Sequence, residues 1–474
     1  MTVRYDHWID GRAVQPASGA YLTSVDPWTR GPGDEVAAGS AADVDRAISA
    51  AVVAQRAWAY RSAGERAAVL FGVADLMEQR IGELIDAEQA STGKVTSQVK
   101  MEVEMCVAYF RYYAGIVRAH GGRTIDLGGH SHTYTKYEPY GVVGIITPWN
   151  FPVNQACRGG APALAAGNAV VLKPSEFTSS ASLVLARICT DAGLPDGLFN
   201  VVTGTGPEVG AALAQDPRVR RIAFTGSVGT GRYLASVAAE RLIPMTLELG
   251  GKSPLVVFAD ADLAKAAGAA TTVVAANAGQ ICSATTRLLV EESVHDELVA
   301  RVVEQVRALE PGRDFGPIIT EAQFHKVLGY FDAARAEGAV PVVGGAAYRE
   351  APWSDGFFIQ PTVYANVQPD WRITREEIFG PVLVTMPFRD EADAIRIAND
   401  TEYGLLGAVW SGDLARGIRV AEQIDAGQVA VNGGALTIET PLGGYKHSGY
   451  GREKGVEALH DYAQIKCISY RFDG

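Results

Sequence analysis

From Asp43 to about His120 apolar residues recur every three or four positions, with Val44, Ala47, Ile48, Ala51 and Val52 in one stripe and Leu70, Val73, Leu76 and Ile81 in another. That period is the helical one, so this segment predicts two or three long amphipathic helices. Between Gly121 and Glu138 the texture changes to short polar and β-branched stretches (Thr124, Ile125, Thr133, Tyr134, Thr135), which predict an exposed hairpin. Beyond it, apolar β-branched runs at 142–146, 169–172, 199–202, 222–224 and 245–247 alternate with alanine-rich stretches, most of them long enough for a helix. Strands apolar on both faces that alternate with helices indicate a parallel sheet covered on both sides. A second series runs from Pro254 to about Gln428, with runs at 255–258, 287–290, 340–343, 382–386 and 407–410. The pattern therefore predicts an α/β chain with two parallel-sheet lobes and a separate hairpin.

Composition narrows the function classes. The chain has 474 residues, 47% apolar and 20% charged, which is ample for large cores and excludes a disordered tail. Glycine supplies 52 positions, well above the usual share of about 7%, and points to tight turns or close approach of backbone to a ligand. A net charge of −12 without a block of like charge argues against nucleic acid and anionic membrane as partners. Five cysteines without CxxC spacing fit neither a paired disulfide framework nor a zinc ribbon, so a reducing, cytoplasmic setting is expected. The polar first eleven residues lack the layout of a signal peptide, and the apolar runs are shorter than the roughly 20 residues that span a bilayer.

Two glycine clusters leave predicted strands. In Gly204-Thr205-Gly206-Pro207-Glu208-Val209-Gly210 the third glycine falls one position late for a dinucleotide fingerprint, and Pro207 removes an N–H. In Gly226-Ser227-Val228-Gly229 the serine is placed to cap a helix or to meet a phosphate. Taken alone, each fits a glycine-rich turn about as well as a nucleotide site. Cys106, Cys157, Cys189 and Cys467 sit in apolar or strand-like contexts, whereas Cys282 lies in the polar loop Asn277-Ala278-Gly279-Gln280-Ile281-Cys282-Ser283. A loop cysteine of that kind is a candidate nucleophile or a buried structural thiol. His130 and His132 lack a completing carboxylate or cysteine, so no metal is expected.

Together these segments resemble the NAD(P)-dependent aldehyde dehydrogenase family, in its non-acylating, hydrolytic branch. The motifs are Pro148-Trp149-Asn150-Phe151-Pro152, Lys173-Pro174-Ser175-Glu176, Phe224-Thr225-Gly226-Ser227, Glu248-Leu249-Gly250-Gly251-Lys252, Asn277 to Cys282, Glu377-Ile378-Phe379-Gly380-Pro381, and Pro441-Leu442-Gly443-Gly444 with Ser448-Gly449. They stand in the family's order and spacing, and the similarity runs from Trp8-Ile9-Asp10-Gly11 to the C-terminal strand.

The resemblance implies a Rossmann-like cofactor lobe (1–120 and 139–249), a catalytic lobe (250–447) and an oligomerisation element (121–138 and 448–474). It implies that Cys282 attacks the aldehyde, that the Asn150 side chain and the Cys282 N–H stabilise the oxyanion, and that Glu248 activates water to hydrolyse the thioester. For the cofactor it implies Ile146, Trp149, Lys173, Glu176, Gly206, Gly226, Ser227, Leu249, Glu377 and Phe379. Because Glu176 would repel a 2′-phosphate, NAD is favoured over NADP.

For the substrate the resemblance implies Met105, Phe151, Asn154, Arg158, Ile281, Leu436 and Leu442, with help from Thr437. An arginine eight residues past the asparagine is similar to the succinate-semialdehyde and lactaldehyde branches, where it engages a carboxylate or hydroxyl. The second arginine common in the semialdehyde branch is absent, since Ala276 stands there. Arg158 therefore either selects a semialdehyde or hydroxyaldehyde, or forms a structural ion pair with an acidic neighbour. Broad aliphatic or aromatic aldehyde oxidation and a CoA-acylating reaction are the alternatives within the family; a cysteine hydrolase and a non-catalytic scaffold are the alternatives outside it. In the family the hairpin and the C-terminal strand pair across subunits, so a homodimer or homotetramer is expected.

Overall fold

The computed structural model describes residues 2–472; residues 1, 473 and 474, at the ends of the ranges 1–120 and 448–474, lie outside the described residues. The amphipathic N-terminal segment forms four helices rather than two or three: α1 (Ala41–Tyr60), α2 (Ala63–Gln79), α3 (Ile81–Thr92) and α4 (Thr96–Ile116). Short capping signals break the stripe. Ser62 accepts from the Glu65 N–H at the start of α2 while the Glu65 carboxylate accepts from the Ser62 N–H at 2.8 Å, and α3 stops at Gly93, whose φ of +68° suits glycine.

These helices pack on an eight-stranded sheet. Its five central strands, Met245–Glu248, Val219–Thr225, Val142–Ile146, Ala169–Lys173 and Phe199–Val201, run parallel in that spatial order. The Val142–Ile146 and Ala169–Lys173 strands are buried at every position, as a sheet covered on both faces requires. Antiparallel strands extend both edges: His7–Ile9 and Arg12–Val14 on one side, Gly449–Tyr450 on the other. Helix α5 (Pro152–Ala165) is buried along its whole length between the sheet and the N-terminal helices.

The second lobe is a seven-stranded sheet, parallel except for its edge strand Pro341–Val343, which pairs antiparallel with Thr362–Tyr364. Its apolar core is distinct from that of the first lobe. A three-stranded sheet stands apart, with Ser131–Pro139 between Thr124–Ile125 and Ala463–Arg471. Here the structure corrects an expectation. The C-terminal strand pairs with the hairpin within one chain, in continuous register from Ala463 opposite Pro139 to Arg471 opposite Ser131. The helix Gly455–Asp461 delivers the strand to that position, held by Ala458, Leu459 and Tyr462 in the first lobe's core.

Candidate active site

Parallel strands end together, so their last residues gather along one edge. Here Glu248, Thr225, Ile146 and Lys173 end four neighbouring strands. The second lobe brings Cys282 to that edge on the loop between helix Leu263–Ala275 and strand Arg287–Glu291. The loop's bend is left-handed over three residues, with φ of +47° at Asn277, +49° at Ala278 and +71° at Gly279. A Cβ on Gly279 would overlap the Gly380 carbonyl, so this position needs glycine for space as well as conformation. Gly279→Ala is therefore expected to lower the melting temperature and the activity together; a variant with wild-type melting and rate would contradict this account of the loop.

A cavity of about 160 Å³ lies between the lobes, lined by Pro148, Trp149, Asn150, Thr225, Gly226, Ser227, Glu248, Leu249, Gly250, Cys282, Gln323, Lys326, Glu377 and Phe379. It thus gathers all three predicted catalytic residues and most of those predicted for the cofactor. Glu248 is 1% exposed, and neither carboxylate oxygen has a hydrogen-bond partner among the described residues. Burial, reinforced by the nearby Glu453 carboxylate and opposed by Arg158, pushes its pKa up to about 8. Cys282 is partly exposed. Burial of its sulfur pushes the thiol up to about 11, against the pull of the Arg158 guanidinium. The Asn150 side chain donates to the Gln280 carbonyl at 3.0 Å, and Asn277 donates to the carbonyls of Asn150 (3.0 Å) and Gln280 (3.2 Å). The first lobe's asparagine and the second lobe's cysteine loop are thereby bonded to each other.

The predicted cofactor residues divide between the Cys282 cavity, a second cavity that includes Ile146 and Gly206, and the pair Lys173 and Glu176, which lines neither. Glu377 accepts from the Gly251 N–H at 3.0 Å, and a Cβ at Gly250 would collide with its carboxylate. Trp149 meets Phe379 edge-on at 5.4 Å between ring centroids, and Ser227 caps the helix Val228–Arg241 by accepting from the Thr230 N–H at 3.3 Å. A second cavity, of about 500 Å³, is lined by Ile146, Gly206, Pro207, Gly210, Ala211, Gly229, Thr230, Tyr233 and Leu234. Lys173 and Glu176 form an ion pair at 3.0 Å; burial lowers the lysine's proton affinity and Glu176 restores part of it.

The predicted substrate residues lie outside the Cys282 cavity's lining. Phe151, Asn154 and Arg158 belong to the start of α5, Met105 is an exposed residue of α4, and Leu442 forms an isolated bridge with Glu453. Ile281 is partly exposed next to Cys282, as is Leu436, while Thr437 is exposed. Arg158 is 7% exposed, ion-paired with the buried Glu453, and donates to Thr225 Oγ1 at 3.3 Å. Burial opposes its charge, but Glu453 together with Tyr109, Glu248 and Cys282 outweighs burial and keeps the guanidinium protonated. Lys94, held between Glu88 and Glu102, lies 4.4 Å from the Phe151 ring centroid.

Sequence reasoning missed Gln323, Lys326 and Glu453. The first two stand three apart on the helix Glu321–Ala336, a spacing that places polar groups on one helical face. Glu453 carried no local signal, because its partner sits on a distant helix.

Fold and site define a two-lobed α/β protein in which a cysteine of one lobe meets a carboxamide and a carboxylate of the other. Residues 14–468 match the model of the aldehyde dehydrogenase family, and the chain belongs to that family. It is similar to an NAD-dependent aldehyde dehydrogenase from Sinorhizobium meliloti at 41% identity, covering 99% of this chain and 95% of that one, with a TM-score of 0.96. It is similar also to a betaine aldehyde dehydrogenase from Staphylococcus aureus solved in complex with NAD+ (35% identity, 98% and 95% covered, TM-score 0.96). A putative aldehyde dehydrogenase from Burkholderia cenocepacia shares 36% identity over 99% and 97% of the two chains, with a TM-score of 0.97.

Proposed function

We propose that this chain oxidises an aldehyde to its free carboxylic acid with NAD, through a thiohemiacetal and then a thioester on Cys282. The observation that carries the hydrolytic outcome is the partner-free carboxylate of Glu248 in the same cavity as Cys282. Asn150 Nδ2 and the Cys282 N–H would stabilise the oxyanion formed when sulfur adds to the carbonyl carbon. Glu248 would then take a proton from water as that water attacks the thioester, returning the thiol and releasing the acid.

The residues present fit the dinucleotide. Glu377 is fixed by Gly251 in the Cys282 cavity, Ser227 opens a helix whose N-terminus favours anions, and the glycine-rich second cavity has room for a flat ring beside Ile146 and Gly206. Glu176, close to Lys173, would hold ribose hydroxyls and disfavour a 2′-phosphate. Bound NAD supplies the hydride acceptor. Steady formation of NADH and free acid without CoA is the expected result, with NADP a poorer substitute; acid formation that requires CoA would overturn the reading.

For the substrate, the Arg158–Glu453 pair matters most. A substrate carboxylate would have to compete with Glu453 for the guanidinium, so the pairing supports aldehydes without a carboxylate over semialdehydes. Arg158→Leu is then expected to reduce kcat/KM on succinic semialdehyde and on hexanal by similar factors. A loss confined to the semialdehyde would return Arg158 to substrate binding.

The ranges 1–120 with 139–249, 250–447, and 121–138 with 448–474 serve as cofactor lobe, catalytic lobe and oligomerisation element in this reading. The outer edge of Ala463–Arg471, with exposed Ile465 and Tyr470, supports a homodimer or homotetramer. Light scattering distinguishes the two.

A further inference from the structure

A carboxamide at the reaction centre works only in one of its two flipped states, because its oxygen and nitrogen have opposite hydrogen-bonding roles. Asn150 is 2% exposed, and its two ends meet different partners. Its Nδ2 donates to the Gln280 carbonyl at 3.0 Å. Its Oδ1 accepts from Gln155 Nε2 at 3.4 Å. A flip would set Oδ1 against the Gln280 carbonyl and Nδ2 against a second donor, so both contacts select the same state. In that state one Nδ2 hydrogen is bonded to Gln280 and the other has no acceptor among the described residues.

Gln155 is itself 4% exposed, on the first turns of α5, and its backbone N–H bonds to the Phe151 carbonyl. Its Oε1 is buried without a hydrogen-bond partner among the described residues. An unsatisfied buried amide oxygen is a cost that packing alone does not explain, since an apolar side chain of similar size would fill the space without it. Among the described residues, the one side-chain hydrogen bond it makes goes to Asn150.

We infer that Gln155 is a positioning residue, which holds the Asn150 carboxamide so that a free N–H faces the oxygen of the aldehyde bound at Cys282. The inference rests on the proposed oxyanion role of Asn150. At 3.4 Å the contact is long, so its contribution is to orientation rather than to folding.

The test compares Gln155→Met, Gln155→Glu, Asn150→Ala and the double variant Gln155→Met/Asn150→Ala in the full-length enzyme, with NAD and a short aliphatic aldehyde. Gln155→Met is expected to lower kcat about tenfold with little change in KM, and Asn150→Ala to lower it about 10²-fold or more. Because Gln155 acts through Asn150, the double variant should be no slower than Asn150→Ala alone; multiplied losses would overturn the inference. Gln155→Glu keeps shape and size but donates to Asn150 Oδ1 only while its carboxyl is protonated. Its rate should therefore gain a limb that falls as pH rises, a limb absent from the wild type. If Gln155→Met instead loses melting temperature and rate in parallel and Gln155→Glu shows no such limb, the role is structural and the inference fails. Wild-type kcat in Asn150→Ala would overturn the oxyanion reading itself.

Discussion

Glu248→Gln is expected to stop the enzyme after one turnover. The first equivalent of NADH should form at close to the normal rate, and the acyl group should then remain on Cys282, visible as a mass adduct of the intact protein. Steady-state turnover should fall by roughly 10²- to 10⁴-fold, the usual contribution of a positioned general base. The physical reason is that glutamine cannot take the proton of the attacking water. The wild type should show a pH dependence with a definite sign: Glu248 works as its anion, its pKa is about 8, and so hydrolysis rises as pH increases through 8. That limb should vanish in the variant. Stability should move the other way. A carboxyl whose folded value lies above the usual 4.5 favours the folded state at low pH and loses that advantage as pH rises from about 4.5 to about 8. Glu248→Gln should accordingly raise the melting temperature more at pH 8 than at pH 5. Multiple turnovers at the wild-type rate, with no adduct, would remove Glu248 from the mechanism.

Cys282→Ala should abolish NADH formation from every aldehyde, a loss of at least about 10⁴-fold. A free aldehyde carbon donates hydride poorly until a nucleophile makes it tetrahedral, and no other cysteine lines the cavity with Asn150 and Glu248. Because Cys282 is partly exposed and forms no disulfide among the described residues, the variant should melt within a few degrees of the wild type. Alkylation before assay should reproduce the loss. Burial holds the thiol near 11, so modification of the enzyme without cofactor is expected to be slow at neutral pH and faster as pH rises. Activity in Cys282→Ala would require another nucleophile and would sink the thioester route.

Part of this architecture was legible in the chain. The runs at 142–146 and 169–172 stand within one residue of fully buried parallel strands, because a strand covered on both faces leaves no polar alternation to misread. The excess of glycine pointed to turns and close approaches in general, and only the packed structure shows that Gly279 is one of them, where a Cβ would overlap the Gly380 carbonyl. The number of helices before residue 120 was not, since the apolar stripe continues across the short breaks at Ser62, Arg80 and Gly93. The pairing of Ala463–Arg471 with Ser131–Pro139 in one chain also escaped the sequence, because a β-strand does not specify which molecule supplies its partner.

The sequence by itself determined the two-lobed α/β plan and the convergence of Cys282, Asn150, Glu248 and Glu377, through local periodicity and motifs whose spacing matches a family. Only the tertiary structure decided what surrounds those groups. It gave Arg158 to Glu453, left the Glu248 carboxylate without a partner and set Gln155 against Asn150. Partnership and burial are properties of the packed state: they depend on which distant segments meet, and they set the charge and orientation of a side chain that its own neighbours in the chain leave open.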